Sequence, residues 1–187
     1  MSTMGYYKIL SQPMSPYTRD YKGLYRVEPF PPANHCKRFM ALWQQYVQHY
    51  ETAMGVSTEL TLEELMEFAA LATKTTGDPH EVIFFSNTCE CPHPAEYYGI
   101  DVTGYGGYSM VGGNFFLDSE TKADGILGLY DVINCHFRSK LNHNGLFSTY
   151  EDAASFCTVL NDLNALSPGC VETEEWRVVH IFKIVGP

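Results

Sequence analysis

Cys89-Glu-Cys91-Pro-His93 places three soft donors within five residues. Thiolates and imidazoles of this kind hold zinc, which takes four ligands in a structural site. His35, Cys36 or His80 would have to supply the fourth, and no second spaced cysteine pair accompanies the first. The same cysteines read equally as small loop or core residues, and the pattern calls for no metal or cofactor. His35-Cys36 opens a predicted helix, where a thiol pKa falls, but adjacent helical residues do not face each other as a nucleophile and base must. Asp101, Asp118, Asp124 and Asp131, with His136 five residues beyond the last, contain the parts of a general acid–base pair without fixing its geometry. The chain has neither a G-x-S-x-G elbow nor an H-E-x-x-H helix.

The second stretch with chemical potential is EYYGIDVTGYGGYSMVGG, residues 96–113. A dinucleotide fingerprint would need glycine where Ser109 stands, and a helix after it. A phosphate loop would need a lysine after its last glycine, but Gly107 is followed by Tyr108 and Ser109. The glycines therefore read as a bend or bulge in a strand. They also read as spacers that present Tyr97, Tyr98, Tyr105 and Tyr108, with Asp101, to a ligand or partner.

These residues sit in a chain of 187, long enough for one domain with its own core and no need of disulfides. Charged residues are only 18%, and aromatics make up the difference, with 13 Tyr and 11 Phe. Tyrosine in excess of a core's needs marks a contact surface, because the ring offers large area at small entropy cost. Net charge is −10, which argues against nucleic acid or an anionic membrane as a partner. It favours a basic protein reached by electrostatic steering. No apolar run is long enough to span a membrane and the first residues do not read as a signal peptide, so the six cysteines are expected as thiols in the cytoplasm.

The elements that must position these residues follow from periodicity. Residues 1–32 read as an N-terminal arm with an edge strand at GLYRVEPF, and 33–187 as a single domain. A helix over 34–54 carries Phe39, Leu42, Trp43, Tyr46, Val47, Tyr50 and Met54 on one face, capped by Asn34 and stopped by Gly55. Thr61-Leu-Glu-Glu64 is a capping box, opening a helix with Leu62, Leu65, Met66, Ala69 and Ala72 inward and ending at Gly77-Asp78-Pro79. EVIFFS, 81–86, reads as a buried strand, 89–94 as a loop, and NFFL as a strand. A third helix is expected over 125–142, with Asn144-Gly145 as its left-handed cap. A fourth starts at Ser148 or Thr149, carrying Ala153, Phe156, Cys157, Leu160 and Leu163, and ends at Pro168-Gly169. In the last strand Trp176, Val178, His180, Phe182 and Ile184 share one side and Arg177 and Lys183 the other. Helices around short strands without β-α alternation give an α+β fold, with a short, mostly antiparallel sheet packed by about four helices.

Two function classes follow. The first is an acidic cytosolic inhibitor that occludes a basic toxin or effector, as immunity proteins, antitoxins and anti-defence inhibitors do. Its contact residues would be Tyr97, Tyr98, Asp101, Tyr105 and Tyr108, with Glu172, Glu174 and Glu175 before the last strand. The alternative is a small enzyme or small-molecule binder whose pocket is lined by 96–113. A homodimer is compatible with either.

Overall fold

A computed structural model of the chain describes residues 5–11, 36–52, 60–77, 79–104, 109–110, 136–144, 146–166 and 176–186. The fold is α+β. Its elements are β1 (Gly5–Ser11), α1 (Lys37–Thr52), α2 (Leu62–Thr76), β2 (His80–Ser86), β3 (Ala95–Gly104), β4 (Ser109–Met110), a 3-10 turn (Arg138–Lys140), α3 (Tyr150–Leu166) and β5 (Trp176–Ile184). The described residues thus hold three α-helices against about four expected, and residues 125–135 of the expected third helix lie outside them. The strand order is β1-β2-β5-β3-β4. β1 pairs antiparallel with β2 from Gly5↔Ser86 to Ser11↔His80, and β3 pairs antiparallel with β4 at Val102↔Met110 and Thr103↔Ser109. The chain divides into two compact units, and β3 and β5 each contribute residues to both.

The first unit contains β1, α1, α2, β2, β3 as far as Tyr97, and β5 from Ile181 onward. Phe39, Leu42 and Tyr46 of α1 and Leu65, Phe68, Ala69 and Ala72 of α2 pack with Ile9, Val82, Phe84, Phe182 and Ile184 of the strands. The ring of Phe68 meets those of Phe39 and Tyr46 at 5.1 and 5.4 Å, and the Tyr46 hydroxyl accepts from the Ile9 amide at 3.1 Å. The α2 start is as expected: the Glu64 amide donates to the Thr61 hydroxyl, and the Thr61 amide donates to the Glu64 carboxylate. Gly77, at φ +84°, ends the helix in the left-handed conformation that glycine adopts without steric cost. Strand β2 alternates less than its neighbours, because Ile83 and Phe85 are as buried as Val82 and Phe84. Both of its faces are therefore covered.

The second unit contains β3 from Tyr98, β4, the 3-10 turn, α3 and β5 as far as His180. Its core is Ile100, Val102, Phe137, Phe147, Ala153, Phe156, Cys157, Leu160 and Trp176. Three phenylalanines form a cluster, Phe137–Phe156 at 5.1 Å, Phe147–Phe156 at 5.4 Å and Phe137–Phe147 at 6.2 Å, geometries that ring quadrupoles favour. Thr149 caps α3: the Asp152 amide donates to its hydroxyl, which donates in turn to the Asp152 carboxylate.

Three expectations change. Helical structure does not reach Asn142, because Leu141 is extended and bridges to Phe147. Asn144 itself does not have positive φ, and Gly145, the other residue of the expected cap, lies outside the described residues. Strand β5 has no polar side: Val179 and Ile181 are buried beside the exposed Arg177 and half-buried Lys183. GLYRVEPF, NFFL, Asn34, Met54, Gly55 and Pro168-Gly169 lie outside the described residues.

The capping box gives a direct check. Thr61→Ala leaves the Glu64 amide without its partner, and urea unfolding is expected to show a loss of about 1 kcal/mol. An unchanged midpoint would mean that the cap contributes nothing to α2.

Candidate functional site

The glycine-tyrosine stretch begins in β3, and Gly99 decides its path. At φ +143° this glycine holds a conformation that L residues rarely adopt. A Cβ there would lie 2.8 Å from the Leu146 Cβ, 2.8 Å from the Asn142 Nδ2 and 3.0 Å from the Phe147 carbonyl oxygen. The missing side chain lets Asn142, Leu146 and Phe147 lie directly on the strand. Ile100 donates to the Phe147 carbonyl at 3.0 Å and Phe147 donates back at 2.8 Å. The Asn142 and Asn144 side-chain amides both donate to the Tyr98 carbonyl, at 2.8 and 3.2 Å. The Asn142 side-chain oxygen accepts from the Asn144 and Leu146 amides. This clasp is structural, and it uses two asparagines that periodicity gives no reason to select. Their signal was the cluster N-H-N-G before an apolar pair, since short amide side chains bond readily to nearby backbone.

The tyrosines separate. Tyr98 is buried and Tyr97 is 48% exposed. Asp101 is 1% exposed and its Oδ1 accepts from the Val102 amide at 2.7 Å. Tyr98 and Asp101 therefore stand inside the second unit, not on a contact surface as expected. Tyr105 and Tyr108 lie outside the described residues, as do Glu172, Glu174, Glu175, Asp118, Asp124 and Asp131.

Tyr97 belongs to the first unit, where its ring packs on Phe182 at 5.2 Å. The exposed Val185 donates its backbone amide to the Pro94 carbonyl at 3.1 Å, joining the end of β5 to the loop 87–94 before β3. This loop carries the free thiols of Cys89 and Cys91. Burial, and then the nearby Cys89, pushes the Tyr97 phenol above its ordinary value. Burial, and then Cys91, does the same to Tyr7, whose ring lies 4.9 Å from Phe84 and 5.9 Å from His93. Both phenols thus stay neutral hydrogen-bond donors at physiological pH. Among the described residues no group of three or more His, Cys, Asp or Glu is arranged to hold an ion. His80 is buried at the start of β2 with its amide on the Thr73 hydroxyl, Cys36 is exposed, and His35 lies outside the described residues.

Glu90 and Glu96 lie on either side of Pro94 in sequence and are exposed, and neither forms an ion pair among the described residues. Two cations of the same unit are already engaged. Arg38 donates to both Glu67 carboxylate oxygens, and Lys183 to Glu81 at 2.6 Å. In the second unit Lys140 donates to Asp152 at 2.7 Å. That bond, with the Thr149 hydroxyl, holds the Asp152 carboxyl below its ordinary value. Tyr150 is 55% exposed and stacks on His180 at 6.4 Å. No protein-family model, curated protein or solved structure matches the chain.

Two measurements test this geometry. Gly99→Ala must strain the backbone and crowd Leu146, so a loss of about 3 kcal/mol is expected in denaturant unfolding; a loss near that of an ordinary surface substitution would show that β3 can relax. Burial lowers the His180 pKa below its ordinary value, so the fold favours neutral imidazole. The stability from this preference is complete above the ordinary histidine pKa and is lost as pH falls through the lowered one. Unfolding midpoints are therefore expected to fall with pH in that window for the wild type, and less steeply for His180→Phe. Parallel curves would remove His180 as a source of the slope.

Proposed function

We propose that the protein is an acidic binding protein that occludes a basic protein partner, as immunity proteins and antitoxins do. The observation that carries this reading is the exposed Tyr97 ring, in a chain with ten more acidic than basic residues. A ring already packed on Phe182 loses little freedom when a partner covers it. Its neutral phenol donates a hydrogen bond without adding charge. The net negative charge accelerates encounter with a basic surface, and the ring supplies contact area once the two have met. Arg38 and Lys183 are tied to carboxylates of their own unit, so these cations do not offset Glu90 and Glu96. Of the sequence-derived contact residues, Tyr97 is the described one that meets the requirement of exposure. A cytoplasmic setting accords with the free thiols; among the described residues no helix is long and apolar enough to cross a membrane.

The experiment is affinity capture from source-cell lysate with wild type and with Tyr97→Ala, at low and high salt, followed by mass spectrometry of proteins and small molecules. One basic protein is expected, bound stoichiometrically, released by salt and held at least tenfold more weakly by Tyr97→Ala, about 1.4 kcal/mol. Equal retention by both chains would remove Tyr97 from the interface. A bound metabolite without a protein would replace this reading with the ligand-binding one.

A further inference from the structure

The loop 87–94 of the first unit carries Cys89 and Cys91 with Glu90 between them, and the proposed occlusion of a partner makes no use of their thiols. Both are free, Cys89 exposed and Cys91 half-buried. They are housed differently. Burial and then Cys89 raise the Tyr97 phenol, and burial and then Cys91 raise that of Tyr7, so each thiol stands within electrostatic reach of a different ring. Cys91 also packs against the core of the unit. The loop is tied at both ends. The Thr88 amide donates to the Ser86 hydroxyl at 3.2 Å, and the Val185 amide donates to the Pro94 carbonyl at 3.1 Å. Two steps of chain span at most about 7 Å, and the Cα atoms of a disulfide stand roughly 4.4–6.8 Å apart. The two cysteines can therefore join by a change confined to this loop.

We propose that Cys89 and Cys91 form a reversible thiol–disulfide pair, oxidised by a low-molecular-weight disulfide and reduced again by a low-molecular-weight thiol. The thiolate of the exposed Cys89 attacks one sulfur of the reagent. A bond from the Cys89 Sγ to that sulfur forms, the reagent's own S–S bond breaks, and one thiolate leaves and takes up a proton. The Cys91 thiolate then attacks the Cys89 Sγ, forming the Sγ–Sγ bond and releasing the second thiol. The protein gives up two electrons and two protons, and the reagent takes both. The ring so closed holds Glu90 alone between its cysteines, so closure removes little chain entropy and the bond is readily reduced. Such lability suits a reducing cytoplasm, where disulfides are transient. Of the remaining cysteines, Cys157 is buried in the second unit and Cys36 is exposed just before α1. Cys135 and Cys170 lie outside the described residues.

The test equilibrates the purified full chain with mixtures of hydroxyethyl disulfide and mercaptoethanol, an uncharged couple that Glu90 and Glu96 do not repel. Acid quenching, alkylation of the remaining thiols and peptide mapping by mass spectrometry then report each cysteine. The expected product is two hydrogens lighter, has Cys89 joined to Cys91 within one chain, and returns to the dithiol in excess mercaptoethanol. Cys91→Ser should stop at the mercaptoethanol adduct on Cys89, because the second thiol is missing. Cys89→Ser should form its adduct more slowly, because Cys91 is half-buried. A wild-type chain that keeps the adduct on Cys89 would overturn the pair. So would Cys89 or Cys91 joined to Cys36, Cys135, Cys170 or a second copy, or closure in the urea-unfolded chain alone. Equal adduct rates in the two variants would overturn the order of attack. If either variant does not fold, the wild-type map still decides whether the pair forms.

Discussion

The absence of a side chain at position 99 sets how closely Asn142, Leu146 and Phe147 can lie on β3, and much of the second unit depends on that approach. With the backbone at φ +143°, the Tyr98 carbonyl meets two asparagine amides, and Ile100 exchanges a pair of hydrogen bonds with Phe147. Those bonds fix Phe147, which in turn completes the ring cluster with Phe137 and Phe156. Local backbone freedom, hydrogen bonding and aromatic packing are thus three consequences of one missing Cβ. The glycines of the stretch need not share a single purpose. Gly99 permits a close approach, and Gly104 is the last residue of β3, which pairs antiparallel with β4.

Side-chain amides take the place of strand neighbours at two points in this unit. Asn142 receives and gives hydrogen bonds along its own loop and to Tyr98. Asn161 of α3 does the same for Trp176, accepting from its amide at 2.8 Å and donating to its carbonyl at 3.1 Å. A buried backbone group left unpaired costs about as much as a lost hydrogen bond. A carboxamide can satisfy an N–H and a C=O together, as a neighbouring strand would. This gives a helix residue a specific tertiary role, although asparagine does little for helix propensity.

The sequence revealed the elements governed by local rules and missed those governed by tertiary partners. The capping box at Thr61, the stop at Gly77, the strand after Pro79 and the α3 face of Ala153, Phe156, Cys157 and Leu160 are all local signals, and all are found. Phe68 was not assigned to the α2 face, yet it is fully buried between Phe39 and Tyr46 because α1 packs there. Alternation gave β5 a polar side from Arg177 and Lys183, but Val179 and Ile181 are buried between them. A lysine can lie along a covered face with its ammonium on Glu81, so its charge is a poor guide to exposure. Tyr97 and Tyr98 differ for a related reason: composition cannot tell a ring on the surface from one a residue away that is buried.

That division of the tyrosines narrows any recognition surface on the described residues. Tyr98 serves packing, its carbonyl engaged by two asparagines, whereas Tyr97 keeps about half its surface in water while its ring is braced by Phe182. Charge and ring then have different tasks. Carboxylates in solvent are screened over roughly 10 Å at moderate salt, so they govern encounter more than final affinity. A braced, half-buried aromatic ring instead contributes when water is expelled from around it, and that contribution is much less sensitive to salt. An interface built on both should therefore lose association rate as salt rises while keeping much of its dissociation rate. A surface that relied on charge alone would also dissociate faster as salt rises, and this contrast follows from Tyr97 being exposed and braced at the same time.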